Sequence, residues 1–272
     1  MQNQSMRNSI LEIFKLEDLR SPWTSRLLFL LLLLIRSFPI LAPIGDTDFT
    51  AFYDWAETML NDTEKMANAT VADIPLTKGN LLFLGISFAS LFLCVMASTI
   101  YSGIYIREYR MGKEDNTLPV IKTGNMFVRL FLMTLLLAVI SVPAAAVSVF
   151  FIFVMVMAVP CIIMYPSCYL SGDSGIFGAA KDMIYRTRGY YLTNAKNICI
   201  ILLLNWILGF IPTLIEQVSV PAAMITESFI FVFILLALAR YAGIIYCRLL
   251  EHPYVPEPVG TPDNDIPDNY RD

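Results

Sequence analysis

The strongest constraint on this chain is a series of apolar runs, each long enough for a helix that crosses a bilayer. Such a helix needs about 20 apolar residues to span a hydrocarbon core of roughly 30 Å. We therefore predict an all-α integral membrane protein with six transmembrane helices. The predicted spans are Leu27–Ile44, Leu81–Ile106, Met126–Ala145, Val147–Leu170, Ile198–Ile215 and Val220–Cys247.

The composition supports lipid as the solvent. Apolar residues make up 57% of the 272 residues and charged residues only 15%, against about 25% charged residues in a typical soluble domain. A soluble fold of this size cannot hide so much apolar surface, so the apolar runs must face lipid.

The third and fourth spans come from one continuous apolar run, which is about twice as long as one crossing needs. We predict the turn at Pro143, before Ala144. The two loops that flank the run, 107–125 and 171–196, are both basic. Basic loops belong on the same side of the membrane, which requires an even number of spans between them.

The distribution of Lys and Arg predicts the orientation. The first 26 residues and the loops 107–125 and 171–196 contain four basic residues each, whereas loop 45–80 contains only Lys65 and Lys78, against seven acidic residues. Cytoplasmic loops carry an excess of Lys and Arg. We therefore predict a multi-pass protein of the cell membrane with both termini in the cytoplasm.

Three regions follow from this topology. Residues 1–26 are predicted as a cytoplasmic N-terminal amphipathic segment, in which Ile10, Ile13 and Phe14 share a face and Ser21-Pro22 ends the helix. Residues 27–250 form the membrane domain, with an external loop at 45–80. Residues 251–272 are rich in proline and acidic residues, which predicts a disordered cytoplasmic tail.

The apolar residues of loop 171–196 repeat with the spacing of a helix, which is not typical of an irregular loop. It predicts an interfacial helix with Ile176, Met183 and Ile184 in the acyl boundary. Asp182 and Arg186 have the spacing of a helical ion pair. The basic residues expected to contact anionic inner-leaflet headgroups are Lys181, Arg186 and Arg188. The alternative is that these charges only set the topology.

The external loop contains a second amphipathic helix. Its apolar residues repeat with helical spacing, and they are Phe49, Phe52, Tyr53, Ala56, Met59 and Leu60. This helix either lies on the outer interface or covers a groove between spans. Asp46 and Asp48 precede it, and we interpret them as helix-capping residues rather than metal ligands.

An internal repeat is also indicated. The first, third and fifth spans each approach a proline, at Pro39, Pro143 and Pro212. The second and sixth spans end in similar sequences, 101–104 and 241–244, which share a tyrosine, a glycine and an isoleucine. The pattern predicts three parallel helical hairpins. The alternative is that prolines and tyrosines simply favour the ends of spans.

The segment "YPSCYLSGDSGIFGAAKDMIYRTRGYYLTNAKNI" resembles the membrane domain of glycerophosphodiester phosphodiesterases and of related uncharacterised six-span bacterial membrane proteins. The positions that carry the resemblance are Pro166, Asp173, Gly175, Ala179, Arg186, Arg188 and Gly189. The remaining chain matches only by the number of spans. The metal-binding acids and histidines of the phosphodiesterase's catalytic domain have no counterpart in this sequence, so no catalytic role carries over.

Polar residues inside spans are the candidates for function, because they are costly in lipid. They are Arg36, Asn205, Glu227 and Arg240. Arg36 and Glu227 both lie toward the outer side, which predicts that they form an ion pair. Arg240, like Arg129, lies toward the cytoplasmic end, where its side chain can extend to the headgroups.

Catalytic chemistry has little support in the sequence. The only histidine is His252, and the five cysteines contain no CxxC pair, so we predict no enzyme activity, metal, cofactor or nucleic-acid partner. The predicted function is a scaffold or accessory subunit of the cell envelope that works with the bilayer and a membrane-protein partner. The alternative is a transporter or channel for a small solute or lipid, using the polar residues between hairpins.

Overall fold

A computed structural model describes residues 12–16, 21–62, 68–70, 73–112, 128–136, 139, 152–171 and 175–251. Within these residues the secondary structure is helical, without a β-strand. The helices are α1 (Pro22–Leu41), α2 (Thr50–Asn61), α3 (Lys78–Gly112), α4 (Ile152–Ser171), α5 (Ile176–Thr187), α6 (Tyr191–Leu208), α7 (Phe210–Glu216) and α8 (Val220–Glu251). Residues 128–136 are also helical.

Four helical stretches are long and apolar enough to cross a membrane, namely α1, most of α3, α6 with α7, and α8. They coincide with the predicted first, second, fifth and sixth spans, so the protein is a helical membrane protein. Pro22 is the first residue of α1, and the described residues 13–16 before it are not helical, so the N-terminal helix predicted to end at Ser21-Pro22 is not seen there. Proline suits the first helical position, where its missing N–H would have no partner in the helix.

The predicted third and fourth spans are described only in part. Residues 128–136 are helical, and α4 continues through Pro160 and Pro166 to Ser171. The turn predicted at Pro143 lies outside the described residues, as does the tail beyond residue 251. The six-span arrangement and the three-hairpin repeat therefore stay predictions.

Helices α1 and α3 run antiparallel, as the hydrogen bonds between them show. The Ser90 hydroxyl donates to the Ile35 carbonyl at 2.7 Å, and the Cys94 thiol lies 3.9 Å from the Leu32 carbonyl. Following the charge prediction, we call the end of the bundle near Leu41, Lys78 and Val220 the outer end. The opposite end, near Glu251, is called the inner end.

Helix α8 is the centre of the described bundle, since it packs against α1, α3, α4, α6 and α7. Most of its residues from Leu236 to Leu249 are buried. Gly243 allows the close approach of α3, because a Cβ atom there would lie 2.9 Å from Cδ1 of Tyr105. The two similar sequences 101–104 and 241–244 therefore meet near the inner end.

Buried polar side chains add specific ties between the helices. The hydroxyls of Ser102 and Ser167 lie 3.2 Å apart and join α3 to α4. The Tyr241 hydroxyl donates to Oδ1 of Asn194 at 3.1 Å and joins α8 to α6. Hydrogen bonds between membrane helices contribute about 0.6 kcal/mol each on average, so these ties mainly fix which helix faces meet.

The predicted fifth span is divided into two helices. Helix α6 ends at Leu208, Gly209 forms the break, and α7 starts at Phe210. Pro212 supplies the physical reason, because proline lacks an N–H and its ring collides with the carbonyl of the preceding turn.

The N-terminal segment lies in an unexpected place. We predicted that Ile13 and Phe14 belong to an amphipathic helix at the membrane surface. The structure instead buries Ile13 completely and stacks Phe14 on Phe233, with ring centroids 5.8 Å apart, near the middle of α8. The apolar face is real, but it packs against protein rather than lipid.

Close packing at Gly243 can be tested by substitution with alanine. Gly85 is the matched control, because a Cβ atom there meets nothing within 4 Å. Alanine removes up to about 1 kcal/mol of helix-propensity cost, so Gly85→Ala should be neutral or stabilising. Gly243→Ala should lower the thermal unfolding temperature in the same detergent, because overpacking costs about 1–3 kcal/mol. Equal shifts for both variants would contradict the close contact between α3 and α8.

Candidate functional site

A half-polar groove lies in the outer half of the bundle, between α6–α7 and α8. Its volume is about 450 Å³, within the usual range for pockets that hold small ligands. The lining residues are Asn205, Gly209, Pro212, Thr213, Glu216, Val220, Ala223, Met224, Glu227, Ile230 and Phe231. The structure therefore brings together Asn205 and Glu227, two of the polar residues that the sequence singled out.

The break at Gly209 shapes this groove. The Thr213 hydroxyl bonds back to the Gly209 carbonyl at 3.3 Å, and Thr213 and Glu216 of α7 both line the groove. Glu216 was missed from the sequence because it lies at the end of an apolar run. With Asn205 and Glu227, the groove offers hydrogen-bond acceptors for a cationic or hydroxyl-bearing group.

The predicted ion pair between Arg36 and Glu227 is not formed among the described residues. The guanidinium carbon of Arg36 lies 4.9 Å from the ring centroid of Phe231, one helical turn beyond Glu227. The Nε atom of Arg36 is buried without a hydrogen-bond partner in the described part of the chain. An aromatic face attracts a desolvated guanidinium, which explains why Arg36 rests on Phe231.

The inner end contains a second polar cluster, built around Arg240. This residue is only 2% exposed, and its Nε donates to the Glu12 carbonyl at 2.9 Å. Its guanidinium carbon lies 4.9 Å from the Tyr105 ring centroid. The expectation that Arg240 extends to the headgroups is therefore wrong, because the guanidinium is buried inside the bundle against a backbone carbonyl and an aromatic ring.

Two further polar contacts lie nearer the inner end of α8. Nη2 of Arg248 lies 2.8 Å from Oε2 of Glu12, and the Tyr109 hydroxyl donates to Oε1 of Glu251 at 2.6 Å. Sequence reasoning missed the role of Glu12. The available signal was an acidic residue next to an apolar pair, together with Arg240 and Arg248 spaced by about two helical turns.

Helix α5 carries the third group of candidate residues. The predicted ion pair is confirmed, with Nε of Arg186 lying 3.2 Å from Oδ2 of Asp182. Lys181 and Arg188 are exposed, and Arg186 is partly exposed. Gly189 ends the segment with a positive φ of 81°, a conformation that glycine adopts without strain.

The predicted lipid-facing stripe of α5 needs a correction. Met183 is only 5% exposed, and it faces the bundle with Ala179 and Thr187. Packing against α4 explains this orientation, since the Tyr165 hydroxyl donates to the Ile176 carbonyl at 3.2 Å. The outward apolar side chains are Phe177, which is 89% exposed, and Ile184.

The loop before α2 contains Asp46 and Asp48. Oδ1 of Asp48 accepts from the Thr50 hydroxyl at 2.6 Å and from the Thr50 N–H at 2.9 Å. Both bonds hold the pKa of the Asp48 carboxyl below its usual value. Asp48 thus bonds to the first residue of α2, but the N-cap residue is Phe49, and no side chain caps the helix. Among the described residues, no group of three or more His, Cys, Asp or Glu side chains is arranged to hold a metal ion.

Asn80 fastens this loop to the start of α3. Its side chain is 2% exposed, and Nδ2 donates to the carbonyls of Asp46 and Asp48 at 2.9 Å each. Its Oδ1 accepts from the Thr77 N–H at 3.0 Å. Gly45 permits the turn with a positive φ of 111°. Nothing in the local sequence pattern pointed to Asn80.

Comparisons with known proteins do not assign this chain to a family. No protein-family model, no curated protein and no solved structure matches this chain.

The role of Asn80 can be tested with Asn80→Leu, which keeps the approximate volume but removes the hydrogen bonds. Two loop carbonyls then lose their partner, at a cost on the order of 2 kcal/mol. Hydrogen exchange should accelerate at residues 46–52, while α8 stays protected. Thr58→Val is the control, because it removes only the local bond from the Thr58 hydroxyl to the Asp54 carbonyl. Unchanged exchange at 46–52 in Asn80→Leu would show that Asn80 does not fix the loop.

Proposed function

We propose that the protein is a non-catalytic scaffold or accessory subunit of the cell membrane that presents α2 to a membrane-protein partner on the outer side. One observation carries this proposal. The loop before α2 is fixed to the start of α3 by Asn80, yet none of the described side chains of α2 is buried. A helix that is anchored through the loop before it, and whose side chains stay accessible, can serve as a contact surface for a partner protein.

The chemistry of α2 fits a partner that is partly apolar. Phe52 and Trp55 stack with ring centroids 6.0 Å apart, and Tyr53 is largely exposed. Aromatic residues are enriched where protein surfaces meet, because they combine large contact area with few rotatable bonds. The opposite face contains Asp54 and Thr58, which suit contact with water.

We propose that α5 holds the inner side against the bilayer. Its buried face fixes it to the bundle, so Phe177 and Ile184 project away from the protein. Exposed apolar side chains next to Lys181 and Arg188 suit the boundary between acyl chains and anionic headgroups. The resemblance of this segment to the membrane domain of glycerophosphodiester phosphodiesterases supports the same placement. The inner-leaflet position and the cytoplasmic termini rest on the charge distribution.

A second candidate function is transport or binding of a small solute or lipid. The outer groove favours it, since Asn205, Glu216 and Glu227 line one cavity. Against a continuous path, the described inner half of α8 is closely packed. The groove therefore suits binding from the outer half more than conduction through the bundle.

Photocrosslinking in native membranes tests these proposals, with a photoreactive residue placed at one position at a time. From position 52, on the apolar face of α2, the scaffold function predicts a discrete protein adduct. Position 58, on the opposite face, is the matched control and should give little product. Lipid adducts alone from position 52 would contradict the scaffold and place α2 on the outer leaflet.

The same probe at two other positions tests the membrane contact of α5 and ligand binding in the outer groove. Position 177 on α5 should yield lipid adducts, and these should be richer in anionic lipid than the surrounding bilayer. Only protein adducts there would contradict the membrane role of α5. A reproducible solute or lipid adduct from position 205, competed by added compound, would favour the transport or binding function.

A further inference from the structure

The outer groove between α6–α7 and α8 differs from an ordinary lipid-facing surface, because its walls combine apolar and acidic side chains. Glu216 and Glu227 line it together with Val220, Met224 and Ile230. Both glutamates are exposed rather than covered by protein. An ionised side chain at the depth of a membrane span is costly unless it meets an opposite charge. The groove therefore favours a positively charged occupant.

The described residues do not supply this positive charge. No Lys or Arg is among the described residues that line the groove. Arg36, which was predicted to pair with Glu227, rests on the Phe231 ring instead. Neither Glu216 nor Glu227 has an ion-pair partner in the described part of the chain. The two carboxylates are thus available to a cation from outside the chain.

The two carboxylates lie at different depths in the groove. Glu216 is the last residue of α7 and lies near the outer end of the bundle. Glu227 lies deeper, about two helical turns or about 10 Å along α8 from Val220. A cation that enters from the outer side therefore meets Glu216 first and Glu227 second.

The hydrogen-bonding groups of the groove favour a primary ammonium, which has three N–H donors. Besides the carboxylates, Asn205 offers an amide oxygen. The Thr213 oxygen can also accept, because its own hydrogen is donated to the Gly209 carbonyl. A quaternary ammonium has no N–H and is recognised by aromatic faces instead. The aromatic residue that lines the groove, Phe231, is already in contact with Arg36.

We propose that the outer groove binds a primary ammonium group attached to an apolar chain, with Glu227 as its ion partner and Glu216 at the outer entrance. The apolar chain packs against Met224 and Ile230. The proposal rests on the second candidate function, binding in the outer groove, and specifies the ligand. An outer-leaflet lipid with an ethanolamine headgroup and a free alkylamine share this chemistry.

Binding of three related probes to the full-length protein in a non-ionic detergent tests the ligand class. Hexylamine carries the ammonium, hexyltrimethylammonium carries the charge without N–H donors, and hexanol lacks the charge. Isothermal titration calorimetry should give an affinity for hexylamine about tenfold higher than for either analogue, because both lose charge-assisted hydrogen bonds. Equal affinities for the three probes would overturn the proposal.

Variants locate the binding site within the groove. Glu227→Gln keeps the shape of the side chain but removes its charge, so it should weaken hexylamine binding about tenfold. Asn205→Leu should weaken hexylamine binding more than hexanol binding. Glu57→Gln is the matched control, since it removes an exposed carboxylate of α2 on the same side but outside the groove, and it should leave the affinity unchanged. Hexylamine affinity in Glu227→Gln equal to that in Glu57→Gln would also overturn the proposal.

Two further readouts separate the source of the amine from a failure of the underlying function. In nanodiscs, ethanolamine lipid should weaken hexylamine binding relative to choline lipid if the outer leaflet supplies the amine. Equal affinity in both lipids identifies a free amine as the ligand. If a neutral compound competes with the adduct from position 205 and hexylamine does not, the groove keeps its binding function and only the ammonium proposal is overturned.

Discussion

A charged side chain inside a membrane bundle must find its partners within the protein, and Arg240 shows the consequences of this rule. Its partners include the Glu12 carbonyl and the Tyr105 ring. The first draws the N-terminal segment into the bundle, and the second requires α3 to approach α8. That approach is possible because residue 243 is glycine. The packing of the inner half therefore follows from one buried guanidinium and the groups that satisfy it.

The two halves of the bundle differ in a way that bears on function. In the inner half, the side chains of Ser102, Arg240 and Tyr241 are buried, and each makes a hydrogen bond to another helix or to the N-terminal segment. In the outer half, Arg36 rests on Phe231 while Asn205 and Glu227 face an open groove. Since packed, satisfied groups favour rigidity and open polar surface favours binding, the outer half is the place to look for a ligand or partner. The fixed but exposed α2 lies on the same side.

Much of the fold could be predicted from the sequence, and the errors share a physical cause. Apolar length identifies a membrane helix independently of its neighbours, which is why α1, α3 and α8 were found. Helical spacing likewise predicted the pair Asp182–Arg186. Periodicity shows that a face is apolar, but it does not show whether lipid or protein covers that face. For this reason Met183 was assigned to lipid and the partner of Ile13 was not found, although both residues pack inside the bundle.

The polar contacts were harder to predict, because they depend on residues distant in sequence. Charge complementarity favoured Arg36 with Glu227, but an aromatic ring on the same helix was an equally good partner for the guanidinium. Asn80 could not be recognised, since three of its bonds are to backbone groups whose positions the fold alone determines.

The account rests on a bundle that crosses the membrane with loop 45–80 outside and the chain ends inside. Labelling of single cysteines with an impermeant maleimide on intact cells tests this most directly, in a background without native cysteines. A cysteine at Asp62, after α2, should react at once, and one at Asn264 should react only after permeabilisation. Reaction at position 62 only after permeabilisation would contradict the orientation, and with it the placement of α2 and of the groove on the outer side.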